Sequence, residues 1–363
     1  MKKIICIFVL ALAFAAGMQT VASADVTGTA ESISEAKAIF KKCLTSGDYV
    51  AEVQWTGTMA VDVDGFNEEV RTLMDDLAEA YKKTANSNGY ILGAIGIESK
   101  SSISGLRPVV SVKLTPRSVE KGTIVKSEKD AYKKALKALK KQDYETKFVS
   151  KDDTDYTYVF KLVMEQHPEF TYGVGLSYYT SKSTVWFSLN SGYDKATVKK
   201  LANKANKKAA AIVKAVVKPG MTETEKANAI HNHIINNCEY DLDTYYSKDQ
   251  YSNSYTAYGA LCEGKAVCQG YAAAFNLCAQ KAGLNSIAVF GTAGGGDHAW
   301  NYVYLDGKYS YIDTTWDDPV GYNGSSVLQT YFCISKEKLL KDHKFTAADF
   351  TSRYIKYSKF LIA

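Results

Sequence analysis

The sequence lacks the cysteine pattern of a zinc-bound or disulfide-dense scaffold. Its seven cysteines contain no Cys-x-x-Cys pair, which leaves a structural zinc site with little support. Six cysteines follow residue 24, too few for a disulfide framework in a chain of 363 residues. With 46% hydrophobic and 23% charged residues, the composition is that of an ordinary folded protein, long enough for two domains.

Strong charge of one sign is also absent. The formal net charge is +5, which is too weak to indicate a nucleic-acid partner. Lysines gather in the helix-like segments 133–141 and 199–214, where solvated helix faces are expected. The sequence has no strand-turn-helix pattern with the Lys-Ser or Lys-Thr of a phosphate-binding loop. We therefore expect no nucleic-acid partner, no resident cofactor and no metal.

Long hydrophobic runs are missing after the N-terminus. Lys2 and Lys3 precede an apolar run over 4–16, and small residues end in Ala22-Ser23-Ala24, the three-part pattern of a secretory signal. No later stretch approaches the roughly 20 apolar residues that span a bilayer. We predict a signal peptide over 1–24 and no stable membrane span. The expected location is secreted or extracellular, including association with the cell surface.

Residues 25–195 alternate helix-like and strand-like segments. Apolar residues recur at helical spacing over 66–81, which predicts a helix. Two strands are predicted at 90–98 and 109–114. Ser127 can cap a further helix, and 171–179 with 184–189 form another strand pair. Residues 90–97 and 170–177 can be aligned with each other in sequence. We predict an N-terminal α+β region of unknown role with a duplicated helix-plus-hairpin unit.

The remaining residues, 196–363, read as a second domain. A lysine- and alanine-rich helix is predicted over 194–217 and ends before Pro219-Gly220. Thr222 and Glu225 form the pattern of a capping box that opens another helix. His231 and His233 are two residues apart on that helix, so their rings point apart and a metal pair is not expected. The domain boundary is placed near residue 195.

Cys268 stands just before a run of helix formers that begins at Gly270 and continues to Gly283. A thiol in the first turn of a helix lies at the positive end of the helix dipole, which favours the thiolate. Taken alone, such a cysteine is more often a small buried apolar residue. Its context makes it a candidate nucleophile.

A hairpin brings a histidine and an aspartate together. Asp306-Gly307 lies between two alternating apolar segments, which is typical of a two-residue turn. That turn pairs Leu305 with Lys308, sets His298 opposite Thr315 and Trp300 opposite Asp313, and puts His298 and Asp313 on one face. The spacing places their backbones about 7 to 8 Å apart as diagonal neighbours. Asp313 can then orient the His298 ring, and His298 can accept the proton of Cys268.

Three blocks carry a resemblance to a known family. Val-Cys-Gln-Gly-Tyr-Ala from Val267, Asp-His-Ala-Trp-Asn from Asp297 and Tyr-Ile-Asp-Thr-Thr-Trp-Asp-Asp-Pro from Tyr311 resemble the core blocks of the transglutaminase-like superfamily. The segment that ends in Cys238-Glu239-Tyr240-Asp241 resembles the helix and tyrosine that precede this core in bacterial members. The resemblance covers roughly residues 200–335.

The resemblance implies an α+β, papain-like fold in which a helix that carries the cysteine packs on an antiparallel sheet that carries the histidine and aspartate. It implies that Cys268 is the nucleophile, His298 the general base and Asp313 the orienting acid. The chemistry implied is thiolate attack on an amide, release of ammonia or an amine, and resolution of a thioester by water or an amine. No Asp/Asn-rich calcium loop is visible, so calcium activation is not carried over.

Oxyanion and substrate contacts are predicted less directly. The Cys268 backbone N–H is a natural oxyanion donor. Tyr258, Gln269 and Trp300 are the further candidates, Trp300 as a wall beside His298. The predicted partner is a protein or peptide substrate, with a cell-wall peptide as one form.

Two further readings are compatible with the sequence. One is a non-catalytic cell-surface module that binds wall peptides or glycans on the same fold, and the other is a peptidase that trims wall cross-bridges. The intact cysteine, histidine and aspartate favour an enzyme over the binding module. Hydrolysis, deamidation and amine transfer share these three residues and differ only in the acceptor.

Overall fold

The computed structural model describes residues 26–59, 63–104, 107–179, 182–189, 193–247, 249, 252–320 and 328–345. The predicted signal peptide, 1–24, lies outside these residues. Backbone contacts divide the described residues into two compact units. One contains the described residues within 1–126, 147–155 and 179–185, and the other those within 127–146, 156–178 and 186–363. The architecture is α+β, as predicted.

The described chain contains these α-helices: α1 Ile33–Ser46, α2 Val63–Ser87, α3 Glu128–Lys141, α4 Thr157–Gln166, α5 Lys195–Val216, α6 Glu223–Ile235, α7 Leu242–Ser247, α8 Cys268–Lys281 and α9 Lys336–Leu339. A 3₁₀ turn at Asn253–Tyr255 and a π-helical turn at Gly259–Glu263 precede α8. In the part of the chain that the structure describes, no helix has the length and apolar character needed to cross a bilayer.

The described strands are β1 Val26–Ala30, β2 Ala51–Trp55, β3 Tyr90–Leu92, β4 Ile95–Ser104, β5 Arg107–Pro116, β6 Val119–Lys121, β7 Thr123–Val125, β8 Phe148–Ser150, β9 Val174–Tyr178, β10 Thr184–Leu189, β11 Glu239–Tyr240, β12 Lys265–Ala266, β13 Asn285–Ala293, β14 Gly296–Leu305, β15 Lys308–Ile312 and β16 His343–Phe345.

The first unit is built on the sheet β1-β2-β5-β4, in which β1 and β2 are parallel and the other pairs antiparallel. Its core lies between this sheet and helices α1 and α2. The predicted stripe on α2 is confirmed, because Leu73, Leu77 and Tyr81 are buried in this core. Tyr81 also donates a hydrogen bond to the Tyr49 carbonyl at 2.8 Å, so its buried hydroxyl is satisfied.

The predicted duplication has a counterpart in the topology. Apart from the short strand β3 between α2 and β4, the series β1-α1-β2-α2-β4-β5 and β7-α3-β8-α4-β9-β10 have the same order of elements. Their sheets have the matching orders β1-β2-β5-β4 and β7-β8-β10-β9. The first two strands are parallel in both. The repeated unit is therefore larger than the predicted helix-plus-hairpin, because it includes a preceding βαβ segment.

In the second unit, α8 packs on β13 and β14 of the antiparallel sheet β15-β14-β13-β16, and α5 and α6 pack against α8. The helices at α5 and α6 were predicted from the sequence. Asp194 caps α5 by accepting a hydrogen bond from Thr197 N, and both bonds of the Thr222–Glu225 capping box are present. Phe275, Leu277 and Cys278 of α8 are buried in the core of this unit.

The domain boundary near residue 195 stays a prediction. Helices α3 and α4 belong by sequence to the predicted N-terminal region, yet they group with the second unit. Leu162 of α4 packs with Ile287 and Val289 of β13 in one apolar cluster. The side chains in this contact are distant in sequence. The local sequence pattern therefore could not indicate that α4 packs with the second unit.

Candidate active site

Cys268 is the first residue of α8, as predicted. Its side chain is partly exposed and packs with Phe290 against Ala272, Ala288 and Ala299. Gly270 lets the helix start lie against the preceding turn, because a Cβ at this position would be only 2.2 Å from the Ser254 carbonyl oxygen. The thiol is thus fixed at the end of a rigid helix.

The hairpin that carries His298 and Asp313 has the predicted turn. Asp306 and Gly307 have φ angles of 48° and 79°, and pairing runs from Leu305↔Lys308 to Asn301↔Ile312. The ladder ends at Ile312, so the predicted pairs Trp300↔Asp313 and His298↔Thr315 are not formed in it. The Asp313 backbone N–H donates instead to the Tyr331 carbonyl at 3.0 Å.

His298 and Asp313 nevertheless meet. His298 Nε2 lies 2.6 Å from Asp313 Oδ2, and both side chains are buried. Burial lowers the pKa of His298, but the charge and hydrogen bond of Asp313, with a further contribution from Cys268, outweigh it and raise the pKa to about 10. Burial raises the pKa of Asp313, and its two histidine neighbours outweigh this and lower it.

Cys268 acts on His298 through a hydrogen bond and through charge, and both raise the pKa of the histidine. Because Nε2 of His298 is bonded to Asp313, Nδ1 is the ring nitrogen left for the thiol. The structure therefore brings Cys268, His298 and Asp313 together in that order. Such a group can transfer a proton between sulfur and imidazole and stabilise the resulting thiolate and imidazolium.

Asp313 has a second histidine partner that sequence reasoning missed. His343, on β16, places its Nε2 2.9 Å from the same Asp313 Oδ2 that contacts His298. The other carboxylate oxygen, Oδ1, accepts hydrogen bonds from the backbone N–H groups of Thr315 and Trp316 at 3.0 and 3.1 Å. Both oxygens of the buried carboxylate are thus fully used.

Trp300 and Trp316 enclose the histidine pair. Trp300 is completely buried and stacks on His298 with ring centroids 5.9 Å apart. Its Nε1 has no hydrogen-bond partner among the residues that the structure describes. Trp316 lies 5.7 Å from the His298 ring and 4.5 Å from the His343 ring. Trp316 is only half-buried, which makes it the tryptophan that can also touch a substrate.

Tyr240 and Tyr255 lie next to Cys268. Strand β11 pairs with β12 through Tyr240↔Ala266, just before the helix that begins at Cys268. Burial and the charge of Cys268 raise the pKa of Tyr240 well above its usual range, while a hydrogen bond from the Cys268 backbone N–H acts in the opposite direction. Burial, then the same charge, raises the pKa of Tyr255.

The predicted oxyanion candidates lie in different places. Gln269 follows the thiol on α8 and is exposed. Tyr258 stands at the start of the π-helical turn and points toward Lys204 of α5 and the Tyr172 ring, with the Lys204 amine 5.9 Å from its ring centre. Tyr240 is the tyrosine at the thiol, and the Glu-Tyr-Asp block was the sequence signal for it.

Asp317 and Asp318, which follow Asp313 in the same sequence block, connect the loop after β15 to two helices. Asp317 and His231 of α6 form a fully buried pair with Oδ2 and Nε2 3.1 Å apart. Asp318 accepts a hydrogen bond from the Tyr271 hydroxyl of α8 at 2.6 Å. The loop that carries Asp313 is therefore tied to two helices.

Among the described residues, His298, Asp313 and His343 bring metal-ligand atom types within 4.8 Å of one another. Here each Nε2 lies at hydrogen-bond distance from one shared carboxylate oxygen. The same atoms are therefore already used in a hydrogen-bonded group, which satisfies the buried charge without an ion.

Residues 210–314 match the family model of the transglutaminase-like superfamily, and this range contains Cys268, His298 and Asp313. The chain therefore contains a transglutaminase-like domain. It is also similar to kyphoscoliosis peptidase from Mus musculus and from Homo sapiens, with 29% and 30% identity over 117 residues. These alignments cover 29% of this chain and 17% of each relative.

A structure comparison matches a crystal structure of a TGase at 16% identity and a TM-score of 0.29, covering 76% of this chain and 54% of that one.

Proposed function

We propose that the transglutaminase-like domain is the catalytic part of a thiol enzyme that acts on amide or peptide bonds through Cys268, His298 and Asp313. The observation that carries the proposal is the buried contact of 2.6 Å between His298 and Asp313, with Cys268 acting on the same imidazole. A partly exposed thiol at a helix start, paired with an oriented histidine, has the arrangement of an activated nucleophile.

The proposed reaction begins with transfer of the Cys268 proton to His298 Nδ1. The thiolate attacks the amide carbon, a carbon–sulfur bond forms, and the carbonyl oxygen becomes an oxyanion. The C–N bond then breaks as His298 returns the proton to the leaving nitrogen, which gives a thioester and ammonia or an amine. Water or an amine, deprotonated by His298, then attacks the thioester, and the released sulfur takes that proton back as the free thiol.

Tyr240 is the proposed oxyanion donor. The Cys268 N–H, which the sequence suggested for this role, already faces the Tyr240 hydroxyl oxygen. Burial, the largest cause, raises the pKa of Tyr240, so its O–H stays protonated at neutral pH and is free to donate to a developing negative charge. Tyr258 is directed toward Lys204 and carries no such role in this proposal.

The proposed substrate is a protein or peptide. Tyr245 and Tyr246 on α7 are 47% and 74% exposed, and the Tyr245 hydroxyl approaches Gly296 at the start of β14, two residues before His298. Exposed tyrosines offer apolar surface with a hydrogen-bonding tip, which suits an extended peptide. With the predicted leader over 1–24, the proposal places the enzyme outside the cell, where a cell-wall peptide is one available substrate.

We expect the protein to change the masses of peptides in a library that contains glutamine, asparagine and branched isopeptide bonds. Mass spectrometry separates the three outcomes, because deamidation, amine incorporation and chain cleavage give different mass changes. Products should appear with wild-type protein and disappear after alkylation of Cys268. A library left unchanged with and without added amines would contradict the proposal.

Tyr240→Phe is expected to lower kcat by about 10² to 10³ with little change in KM, the usual effect of removing one oxyanion donor. Tyr258→Phe is the matched control, because it removes a hydroxyl from the tyrosine directed away from the thiol. Steady-state kinetics on the best library substrate measure both. Full kcat in Tyr240→Phe, or an equal loss in Tyr258→Phe, would exclude Tyr240 as the donor.

A further inference from the structure

His343 occupies a position that the proposed reaction does not explain. It lies on β16, outside the residues 210–314 that match the family model, and is completely buried. His343 pairs with Ala293 of β13, and Ala293 pairs in turn with Gly296 of β14, two residues before His298. A buried histidine of this kind must have hydrogen-bond partners for its ring nitrogens.

Both ring nitrogens of His343 face carboxylate oxygens. Nε2 lies 2.9 Å from Asp313 Oδ2, and Nδ1 lies 2.6 Å from Asp342 Oδ1. A carboxylate can only accept, and a neutral imidazole carries one proton. The ring therefore satisfies both contacts only with a proton on each nitrogen.

Asp342 is suited to this pairing. Its side chain is 37% exposed, and Oδ2 accepts a hydrogen bond from the Tyr331 hydroxyl at 2.6 Å. Burial raises the pKa of Asp342, but the hydrogen bonds of Tyr331 and His343 outweigh it and lower the pKa. Asp342 is thus an ionised anchor at the edge of the buried group.

We propose that His343 is a positioning residue whose imidazolium ring joins Asp342 to Asp313 and so fixes the carboxylate that orients His298. The inference rests on the proposed function of Cys268 and His298. The groups then alternate in charge along the series His298, Asp313, His343 and Asp342. Each buried charge then lies next to an opposite charge, which offsets part of its desolvation cost.

The positioning role follows from how Asp313 is held. Its Oδ1 accepts from two backbone N–H groups, and its Oδ2 accepts from both histidines, so the carboxylate cannot rotate without breaking several bonds. His343 also interacts with the negative charge of Asp313, which would otherwise interact with His298 alone. In the described part of the chain, the charged and titratable groups that face His343 are Asp313, His298, Asp342 and Tyr331. Trp300 and Trp316 are its aromatic neighbours.

Two variants separate position from charge. His343→Leu removes both hydrogen bonds and the cation, whereas His343→Gln keeps a donor near the Nε2 position without the charge. We expect kcat to fall about 10- to 100-fold in His343→Leu with KM nearly unchanged. This is the usual size of the loss when a residue that orients an active-site side chain is removed. His343→Gln should recover most of that loss.

The pH profile of Cys268 alkylation by iodoacetamide gives a second readout that needs no substrate. Loss of a positive neighbour favours the protonated form of His298 and so raises its pKa. The alkaline limb of the labelling profile, which is the part that depends on deprotonation of His298, should therefore move to higher pH by about one unit in both variants. Rescue of kcat by glutamine without rescue of this shift is the expected signature. A His343→Leu variant with wild-type kcat and an unchanged profile would overturn the inference.

Histidine nitrogen NMR on the wild-type protein covers the case in which the variants do not fold. The His343 ring should show two protonated nitrogens at neutral pH, and a neutral ring would overturn the proposal. Titration with Zn²⁺ discriminates the metal alternative: loss of the His343 Nε2–H signal at stoichiometric Zn²⁺, with Nδ1–H kept, would also overturn it. These spectra do not depend on turnover, so an inactive wild-type protein would count against the proposed function alone.

Discussion

Cys268→Ala is expected to reduce turnover of the best peptide substrate by at least about 10⁴-fold, to the level of the blank. The thiolate forms the covalent intermediate in the proposed reaction, and the other groups act on that intermediate. The fold should not change, because the side chain is partly exposed and alanine has a strong helix propensity at the start of α8. Circular dichroism and thermal unfolding check the fold beside the kinetic measurement.

Cys262→Ala is the matched control for this variant. Cys262 is the most exposed of the described cysteines, lies six residues earlier in the same block and has no histidine partner among its described contacts. Burial raises the pKa of the Cys262 thiol despite nearby lysines, so this thiol should react slowly with iodoacetamide at neutral pH. Turnover should be kept in Cys262→Ala. Turnover that survives in Cys268→Ala would contradict the proposal that Cys268 is the nucleophile of a thiol enzyme.

The sequence predicted the local parts of the site well because they depend on neighbouring residues. The Asp306-Gly307 turn sets the register of β14 and β15 as far as Asn301↔Ile312, and Asp313 follows directly after this ladder. The position of Cys268 at a helix start follows from the helix formers after Gly270. A two-residue turn and a helix start are both determined within a few residues, so pattern alone predicts them.

His343 could not be found in this way. Its contact with Asp313 requires β16 to pair with β13, on the far side of β14 from β15. That order is set by packing between segments distant in sequence, and a three-residue strand has almost no pattern of its own. The single signal was a histidine between acidic and basic residues in Asp342-His343-Lys344, which is typical of an exposed turn.

The tyrosine next to the thiol illustrates the same limit. Tyr258, which the sequence analysis named as an oxyanion candidate, is nearer to Cys268 along the chain than Tyr240 is. The π-helical turn at Gly259–Glu263 packs against α5 and carries Tyr258 toward Lys204. Tyr240 reaches the thiol because β11 pairs in parallel with β12. Parallel pairing across a long connection is not visible in local sequence.

Asp313→Asn is expected to lower kcat by about 10³ to 10⁴, comparable to the loss when the aspartate of a serine-protease triad is replaced by asparagine. The structure gives the reason. Oδ1 accepts two backbone N–H groups, so the asparagine carbonyl must occupy that position and its NH₂ must face the histidines. His298 Nε2 would then have to accept, and the ring proton would move to Nδ1, the nitrogen that must receive the Cys268 proton.

The same variant should change the pH dependence in a defined direction. The pKa of His298 is raised to about 10 against the opposing effect of burial, chiefly by the charge of Asp313. Without that charge, the pKa should fall toward or below its ordinary value of roughly 6.5, and the alkaline limb of iodoacetamide labelling should move to lower pH. Asp317→Asn is the control, because it alters a second buried Asp–His pair away from the thiol. It should lower stability and leave the limb in place.

Stability gives an independent check with a fixed sign. A histidine whose pKa is higher in the folded protein stabilises the fold below its unfolded pKa, and this contribution is lost as the pH rises through the folded value. Wild-type stability should therefore fall between about pH 6.5 and pH 10 by more than that of Asp313→Asn, as measured by urea unfolding. Equal pH dependence in the two proteins, together with an unmoved labelling limb, would mean that Asp313 does not set the charge state of His298.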